Sequence, residues 1–393
     1  MKIIKLKLKN YRNCKDIELD LDHQKILIIG KNAQGKTNIL ESIFFLTTLK
    51  SPRTSNNLEL INFEGKNVEI NADIEKSNTE IELDFYYDSD KKREIKVNKL
   101  KTRPKEFKHV LKTVLFSTQD LMLLRGTPQD RRDWLDIAIS QIYPAYDDRL
   151  SKYNKIKMQK NNFLRDYNGN ETLLDVYNEQ LTILGSNIIY LRIKFLKEIE
   201  KIAQEKHTAI SESEELTIKY DNNFLYPSPN FSDTRTSCRK IPSPARGEGD
   251  ATEYEIEEIS EKFKQKIQER KELEIIKKQS LVGPHRDDII FYINNQEATK
   301  FASQGQQRTI VLALKLAELD IITQKIGEAP VLLLDDVLAE LDDIRQNYLL
   351  KTIDKNTQTI ITSVDTLLFD KKFLKEVQIY KIKAGALTNN LRA

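Results

Sequence analysis

Cysteine is almost missing from this chain. Cys14 and Cys238 are the only two in 393 residues, too few and too far apart for a disulfide framework or a zinc site. A reducing, cytoplasmic setting is the expectation. Long hydrophobic runs are missing too: no apolar stretch approaches the roughly 20 residues that span a bilayer. The opening MKIIKLKLKN alternates charge with apolar residues instead of building a signal-peptide core. These absences predict a soluble protein with no membrane partner. Net charge is scarce as well, +3 from 63 basic and 60 acidic residues, so the total says little about partners and local clusters matter more. What is present is a hydrophobic content of 39%, enough for a globular interior. The length exceeds that of a usual single core, so two lobes are expected.

The most informative string follows the apolar run Ile26 to Ile29. Gly30-Lys31-Asn32-Ala33-Gln34-Gly35-Lys36-Thr37 fits the phosphate-cradling loop pattern without a mismatch, in the required strand, glycine loop, helix order. A triphosphate needs several inward-pointing backbone N–H donors, and glycines let the chain wrap tightly enough to supply them. The helix beginning near Lys36, and continuing through Asn38, would offer its positive end to the phosphates. Lys36 would reach the β- and γ-phosphates. Far downstream, Val331-Leu332-Leu333-Leu334-Asp335-Asp336 reads as a buried strand ending in acid. Asp335 and the Thr37 hydroxyl would together hold Mg²⁺, which prefers few protein ligands plus phosphate oxygens. The two strings predict a Mg²⁺-dependent nucleoside triphosphatase.

Around these strings the periodicity changes twice. Ile4, Leu6 and Leu8 alternate with lysines, and Val68, Ile70, Ala72 and Ile74, then Ile81, Leu83 and Phe85, alternate with polar residues, predicting antiparallel strands and a mixed sheet. From about Gln129 the pattern becomes long, charged and helical with little glycine. Leu174, Tyr177, Leu181, Leu184, Ile188, Leu191 and Phe195 repeat at spacings of three and four, and Ile256, Ile259, Phe263 and Ile267 form a second stripe, the seams of packed helices in a second lobe. Between them, Pro229 to Tyr254 is rich in Ser, Thr, Arg, Pro and Gly and lacks periodicity, so 229–252 is read as an exposed, disordered insertion. The dense cationic run Lys91, Lys92, Arg93, Lys96, Lys99, Lys101, Arg103 and Lys105 is either a phosphate-binding patch or a solvated hairpin.

Ser303-Gly305-Gln306, within SQGQQ, opens a predicted helix one helix length before the acidic strand. In ABC-type ATPases such a turn is the signature motif, whose serine hydroxyl and helix N-terminus complete the γ-phosphate site of the opposite subunit.

With these strings in place, the chain resembles the RecF family of ABC/SMC-type DNA-repair ATPases over nearly its full length. The matching strings are LKLKNYRN, GKNAQGKTNILESI, FSTQDLMLLRGTPQDRRDWLD from Phe116, LVGPHRDD from Leu281, SQGQQR and LLLDDVLAELD from Leu332. The resemblance implies an α/β fold: an ABC-type P-loop ATPase head with a mixed sheet, assembled from residues 1–115 and 285–393, plus an inserted helical lobe over 116–284. It implies ATP as the nucleotide, ATP-dependent homodimerisation and binding to duplex DNA and to gaps or single-strand/double-strand junctions. The expected work is recombinational repair and replication-fork maintenance, with RecR and RecO as partners in loading recombinase. A nucleotide-gated SMC-like scaffold with incidental hydrolysis is the alternative. A transport ATPase fits less well, since the transporter-type switch histidine is absent.

The resemblance also assigns roles. Asp335 matches the metal-binding aspartate, and Asp336 occupies the place where many ABC ATPases carry the glutamate that orients or deprotonates water. The shorter carboxylate is compatible with slow hydrolysis, and the resemblance implies that DNA stimulates it. Glu340-Leu341-Asp342 resembles the loop that communicates between subunits. Gln119 stands where a glutamine would sense metal and water, although the family more often has a proline-glutamate pair where this chain has Thr118-Gln119. Thr362-Ser363 take the place of the switch histidine. Arg12 would reach phosphate or make a surface contact, and His285 and Arg286 are read mainly as a structural hydrogen-bond network.

Overall fold

The computed structural model describes residues 1–211, 213–222, 224–225, 255–353 and 356–391. The expected insertion at 229–252 and Cys238 lie outside them. Two compact units form. One takes Met1–Leu121, Ala209–Glu212 and Arg308–Ala393, the other Met122–Thr208 and Ser213–Gln307.

The first unit holds two six-stranded sheets. In one, β1 (Lys2–Tyr11), β2 (Cys14–Asp20), β4 (Asn67–Lys76), β5 (Thr79–Asp88), β6 (Arg93–Val97) and β7 (Leu100–Lys101) run antiparallel in the order β2-β1-β4-β5-β6-β7. Val68, Ile70, Ala72 and Ile74 all point inward, as alternation requires. On β1 the inward set is Ile3, Leu6 and Leu8. Ile4 leaves it because the register with β4 shifts between Ile3 and Lys5, and such a bulge moves every residue on one side of it to the opposite face.

The second sheet contains β3 (Lys25–Ile29), β8 (Thr113–Ser117), β12 (Val331–Asp335), β13 (Thr359–Ser363), β14 (Gln378–Lys383) and β15 (Ala386–Leu391), ordered β15-β14-β3-β13-β12-β8. Five strands are parallel and β15 joins antiparallel at one edge. Their near-continuous apolar runs reflect burial on both faces. Helix α1 (Lys36–Thr48) touches strands of both sheets, and Phe45 meets Phe85 edge-on at 4.7 Å. That double contact explains a helix apolar around most of its circumference. Cys14 is buried, and burial pushes its thiol up to about 12, so it is inert.

The second unit packs α2 (Pro128–Ile142), α3 (Pro144–Arg165), α4 (Glu171–Ser211) and α5 (Ile256–Lys277) with a small sheet ordered β11-β10-β9, from β9 (Leu216–Asp221), β10 (Asp288–Ile293) and β11 (Gln296–Glu297). Leu174, Leu181, Ile188 and Phe195 are buried along α4, and Ile259, Phe263 and Ile267 along α5. Residues 285–307, expected with the head, cluster here instead because β10 pairs antiparallel with β9 from Asp288↔Asp221 to Ile293↔Leu216. Helix α6 (Gln304–Ile326) then carries the chain from one unit to the other. Among the described residues no helix is long and apolar enough to cross a membrane.

Candidate active site

The carboxyl ends of β3, β12 and β13 lie side by side in the parallel sheet, and the loop after β3 curls over them. Two glycines make that loop possible. A side chain at Gly30 would sit 2.5 Å from the Ile382 carbonyl oxygen, and Gly35 combines φ +109 with a would-be Cβ 2.8 Å from Asn13 Oδ1. Gly35 leads into α1, whose first turn contains no acid to oppose an anion. Lys31, Asn32 and Ala33 are exposed, and Asn32 and Ala33 line the cavity described below.

Lys36 folds back beneath the loop. It is 3% exposed, and its Nζ donates to Gly30 O at 2.8 Å and lies 3.6 Å from Asp336 Oδ2. Thr37 Oγ1 donates to Asp335 Oδ1 at 3.0 Å, and Thr362 Oγ1 donates to the same oxygen at 2.9 Å. Thr362 also accepts from the Asp336 N–H at 2.9 Å, so one hydroxyl ties the Asp335 carboxylate to the Asp336 backbone. Asp336 has φ 53, a left-handed turn that aims consecutive acids in different directions. Burial raises the Asp335 carboxyl above its usual range, against the lowering pull of the Thr362 and Thr37 hydroxyls.

These groups open into a cavity of about 730 Å³, also lined by Gln34, Asn38 and Gln119. Gln119 is exposed on a short turn after β8. The next residue, Asp120, anchors that turn by accepting from Ser117 N at 2.6 Å and pairing with Lys315 at 3.1 Å. Gln34 is fastened from outside the loop, its Oε1 accepting from Ala384 N at 2.6 Å. Hard oxygen donors from one hydroxyl and one carboxylate suit Mg²⁺, which takes its remaining ligands from water and phosphate. Among the described residues no group of three or more His, Cys, Asp and Glu is gathered as a metal cluster.

Ser303, Gly305 and Gln306 belong to the other unit. There Ser303 Oγ accepts from Gln306 N at 3.2 Å while Ser303 N donates to Gln306 Oε1 at 2.8 Å, a reciprocal cap opening α6. Asp342 caps the helix Asp343–Thr352 by accepting from Arg345 N at 2.9 Å. His285 sits between Tyr153 OH at 2.7 Å and Ser280 O at 3.2 Å, and burial pushes it down to about 3, so it is neutral at physiological pH. In the cationic run, Lys92 and Lys96 lie 3.5 and 3.7 Å from Glu94 and Lys99 lies 3.8 Å from Glu82, which partly neutralises it.

Residues 2–388 match the sequence model of the family described as the RecF/RecN/SMC N terminal domain. The chain is 37% identical to the DNA replication and repair protein RecF of Bacillus subtilis (strain 168), over 98% of this chain and 100% of that protein. The chain belongs to the RecF family. RecF of Bacillus thuringiensis (strain Al Hakam) is likewise 37% identical, over 98% of each chain. Among solved structures, the recombination mediator protein RecF with ATPrS from the RecFOR pathway superposes with a TM-score of 0.85 at 31% identity, covering 99% of this chain and 98% of that one. An SMC head bound to the C-winged helix domain of ScpA shares the fold, with a TM-score of 0.53 at 14% identity over 100% of this chain and 99% of that one. The architecture is therefore the α/β head shared by RecF and SMC proteins, with a helix-rich second unit.

Within this RecF-family chain the structure adds site residues that motif reading passes over. Asn13 Oδ1 accepts from Asn38 Nδ2 at 2.7 Å and packs on Gly35, bracing the loop from β1's end. Glu41, 2% exposed on α1, holds Arg12 through two bonds of 2.8 and 2.6 Å and also meets Arg53 at 3.3 Å and Ser51 Oγ at 2.5 Å. Asn13 stands inside the LKLKNYRN string and Glu41 inside GKNAQGKTNILESI, but residue type and spacing assign a role to neither.

Proposed function

We propose that this chain is a slow, Mg²⁺-dependent ATPase that closes as a dimer on DNA in recombinational repair and replication-fork maintenance. The carrying observation is the convergence of Lys36, Thr37, Asp335 and Asp336 beneath the glycine loop of one cavity. In this reading the loop from Gly30 to Thr37 and the start of α1 at Asn38 bind the triphosphate. Lys36 exchanges its contact with Gly30 O for the β- and γ-phosphates. Thr37 and Asp335 would hold Mg²⁺, whose contribution is to neutralise charge on the phosphate oxygens. Asp336 accepts or orients the proton of the water that attacks the γ-phosphorus, and Gln119 positions that water.

Ser303, Gly305 and Gln306 act on the γ-phosphate of a second copy, so two heads enclose two ATP molecules. A family of DNA replication and repair proteins, and a solved relative described as a recombination mediator of the RecFOR pathway, support DNA, RecR and RecO as partners. Gaps or single-strand/double-strand junctions are the proposed DNA targets and recombinase loading the outcome, with turnover stimulated by DNA. The resemblance gives the head as residues 1–115 and 285–393, of which 285–307 group with the helix-rich unit. The test of the nucleotide site is Lys36→Ala. ATP binding or turnover falls by at least about 10²-fold, the scale of losing one such group, while the circular-dichroism spectrum stays parental. Parental turnover in this variant would remove the cavity from consideration.

A further inference from the structure

The cavity that holds the glycine loop and the paired aspartates is also lined by Pro52, Ile61 and Phe63, beside the charged Arg12, Arg53 and Glu64. Phe63 is 106% exposed, a large ring with its full surface in solvent, so the hydrophobic gain of covering it is forgone.

The backbone beneath that ring is tightly fixed. Asn62 N donates to Asn10 O at 2.8 Å, its side chain bonds Arg12 O, and Ile61 bridges Tyr11. Asn62 Oδ1 accepts from Glu64 N at 3.0 Å and Asn62 O accepts from Gly65 N at 2.8 Å, closing a tight turn with Phe63 at its tip. Two residues past the end of β1, in the turn to β2, Asn13 touches Gly35 of the phosphate loop. A turn fixed by these bonds thus holds an uncovered aromatic in the lining of the same cavity as the glycine loop.

We infer that Phe63 is the platform on which the base of the bound nucleotide stacks, making the site selective for purine nucleoside triphosphates. This rests on reading the cavity as a triphosphate site. A purine offers a larger π-face than a pyrimidine and gains more from an offset-stacked ring. The ring supplies affinity without hydrogen-bond readout, so adenine and guanine are both accepted and uracil and cytosine are disfavoured.

The test is calorimetric titration of the full chain with Mg²⁺ and ATP, UTP or inorganic tripolyphosphate, which has no base. Phe63→Ala loses ATP affinity by about tenfold, the lower part of the range for one base stack. Its tripolyphosphate affinity stays parental and its ATP-over-UTP preference collapses. Phe63→Trp keeps ATP affinity, and its added indole fluorescence, measured against the parent whose single tryptophan is Trp134, is quenched by ATP and not by tripolyphosphate. Unchanged ATP affinity in Phe63→Ala together with no quenching in Phe63→Trp overturns the inference, even if ATP-induced dimerisation is weakened. Equal loss of ATP and tripolyphosphate binding overturns it too, since the ring would then be shaping the site. A failure of the underlying reading looks different: tripolyphosphate does not bind the parent, or Lys36→Ala binds it equally well, and the base platform falls with it.

Discussion

Replacing Glu41 with glutamine removes one charge and leaves the volume. In the native chain that carboxylate is 2% exposed and accepts two bonds from Arg12, one from Ser51 and a longer one from Arg53. Burial works against the Arg12 charge, and the Glu41 bonds and field outweigh it, so the guanidinium is held above its usual range. Glutamine keeps one acceptor but turns two N–H donors toward guanidinium groups that are themselves all donor. Breaking a buried pair from one side costs about 3–5 kcal/mol. Here the Arg12 side chain is 15% exposed and Arg53, at 38%, can turn to water, so the lower end, about 3 kcal/mol, applies. In a unit of this size that is a fall of about 6–12 °C in Tm. Scanning calorimetry reads it, with the transition of the other unit as an internal reference. The pair Glu41→Leu with Arg12→Met, which removes both charges, recovers much of the loss because no ion is left stranded. A Tm within 2 °C of the parent for Glu41→Gln would mean that water, and not Glu41, balances Arg12, and a double variant no better than the sum of its singles would refute the coupling.

Two further outcomes concern the ATPase cycle. Asp336→Asn keeps the side-chain size but cannot take a proton, so ATP still binds while the hydrolysis rate falls by about 10²-fold or more; phosphate release under saturating ATP measures it, and parental turnover would move the role to Gln119. Ser303→Arg leaves ATP binding by the single chain intact but puts bulk and charge at the opening of α6, so light scattering after ATP addition should show no dimer, and a normal ATP-induced dimer would rule out the two-head sandwich.

Sequence reading reaches furthest where structure is local. The glycine loop, the alternation of 67–88 and the apolar stripes of α4 and α5 are each set by short-range periodicity, and each is legible. Ile3 replaces Ile4 in the core because a single bulge opposite β4 resets the register, and nothing in MKIIKLK marks it. Residues 285–307 group with the helix-rich unit because β10 pairs with a strand some 70 residues earlier, between Asp288 and Asp221. Long-range pairing of this kind leaves no periodic trace. In the site, motif residues such as Lys36 and Asp335 announce themselves by type and spacing. Asn13, Glu41 and Phe63 do not, since each matters through a neighbour that is distant in sequence or through the lack of any cover.

The fastening of Gln34 to the turn before β15 also sets a schedule for biosynthesis. Its partners Ala384 and Gly385 lie 350 residues further along the chain, and the strand that leads into the loop, β3, finds both of its neighbours, β13 and β14, in that same late stretch. A ribosome adding about 5–20 residues per second therefore exposes the loop roughly 20–70 s before the segment that secures it is made. During that interval β3 has no sheet to join and its apolar run is unprotected. The loop and β3 therefore complete their packing only once β13, β14 and the 384–385 turn are in place.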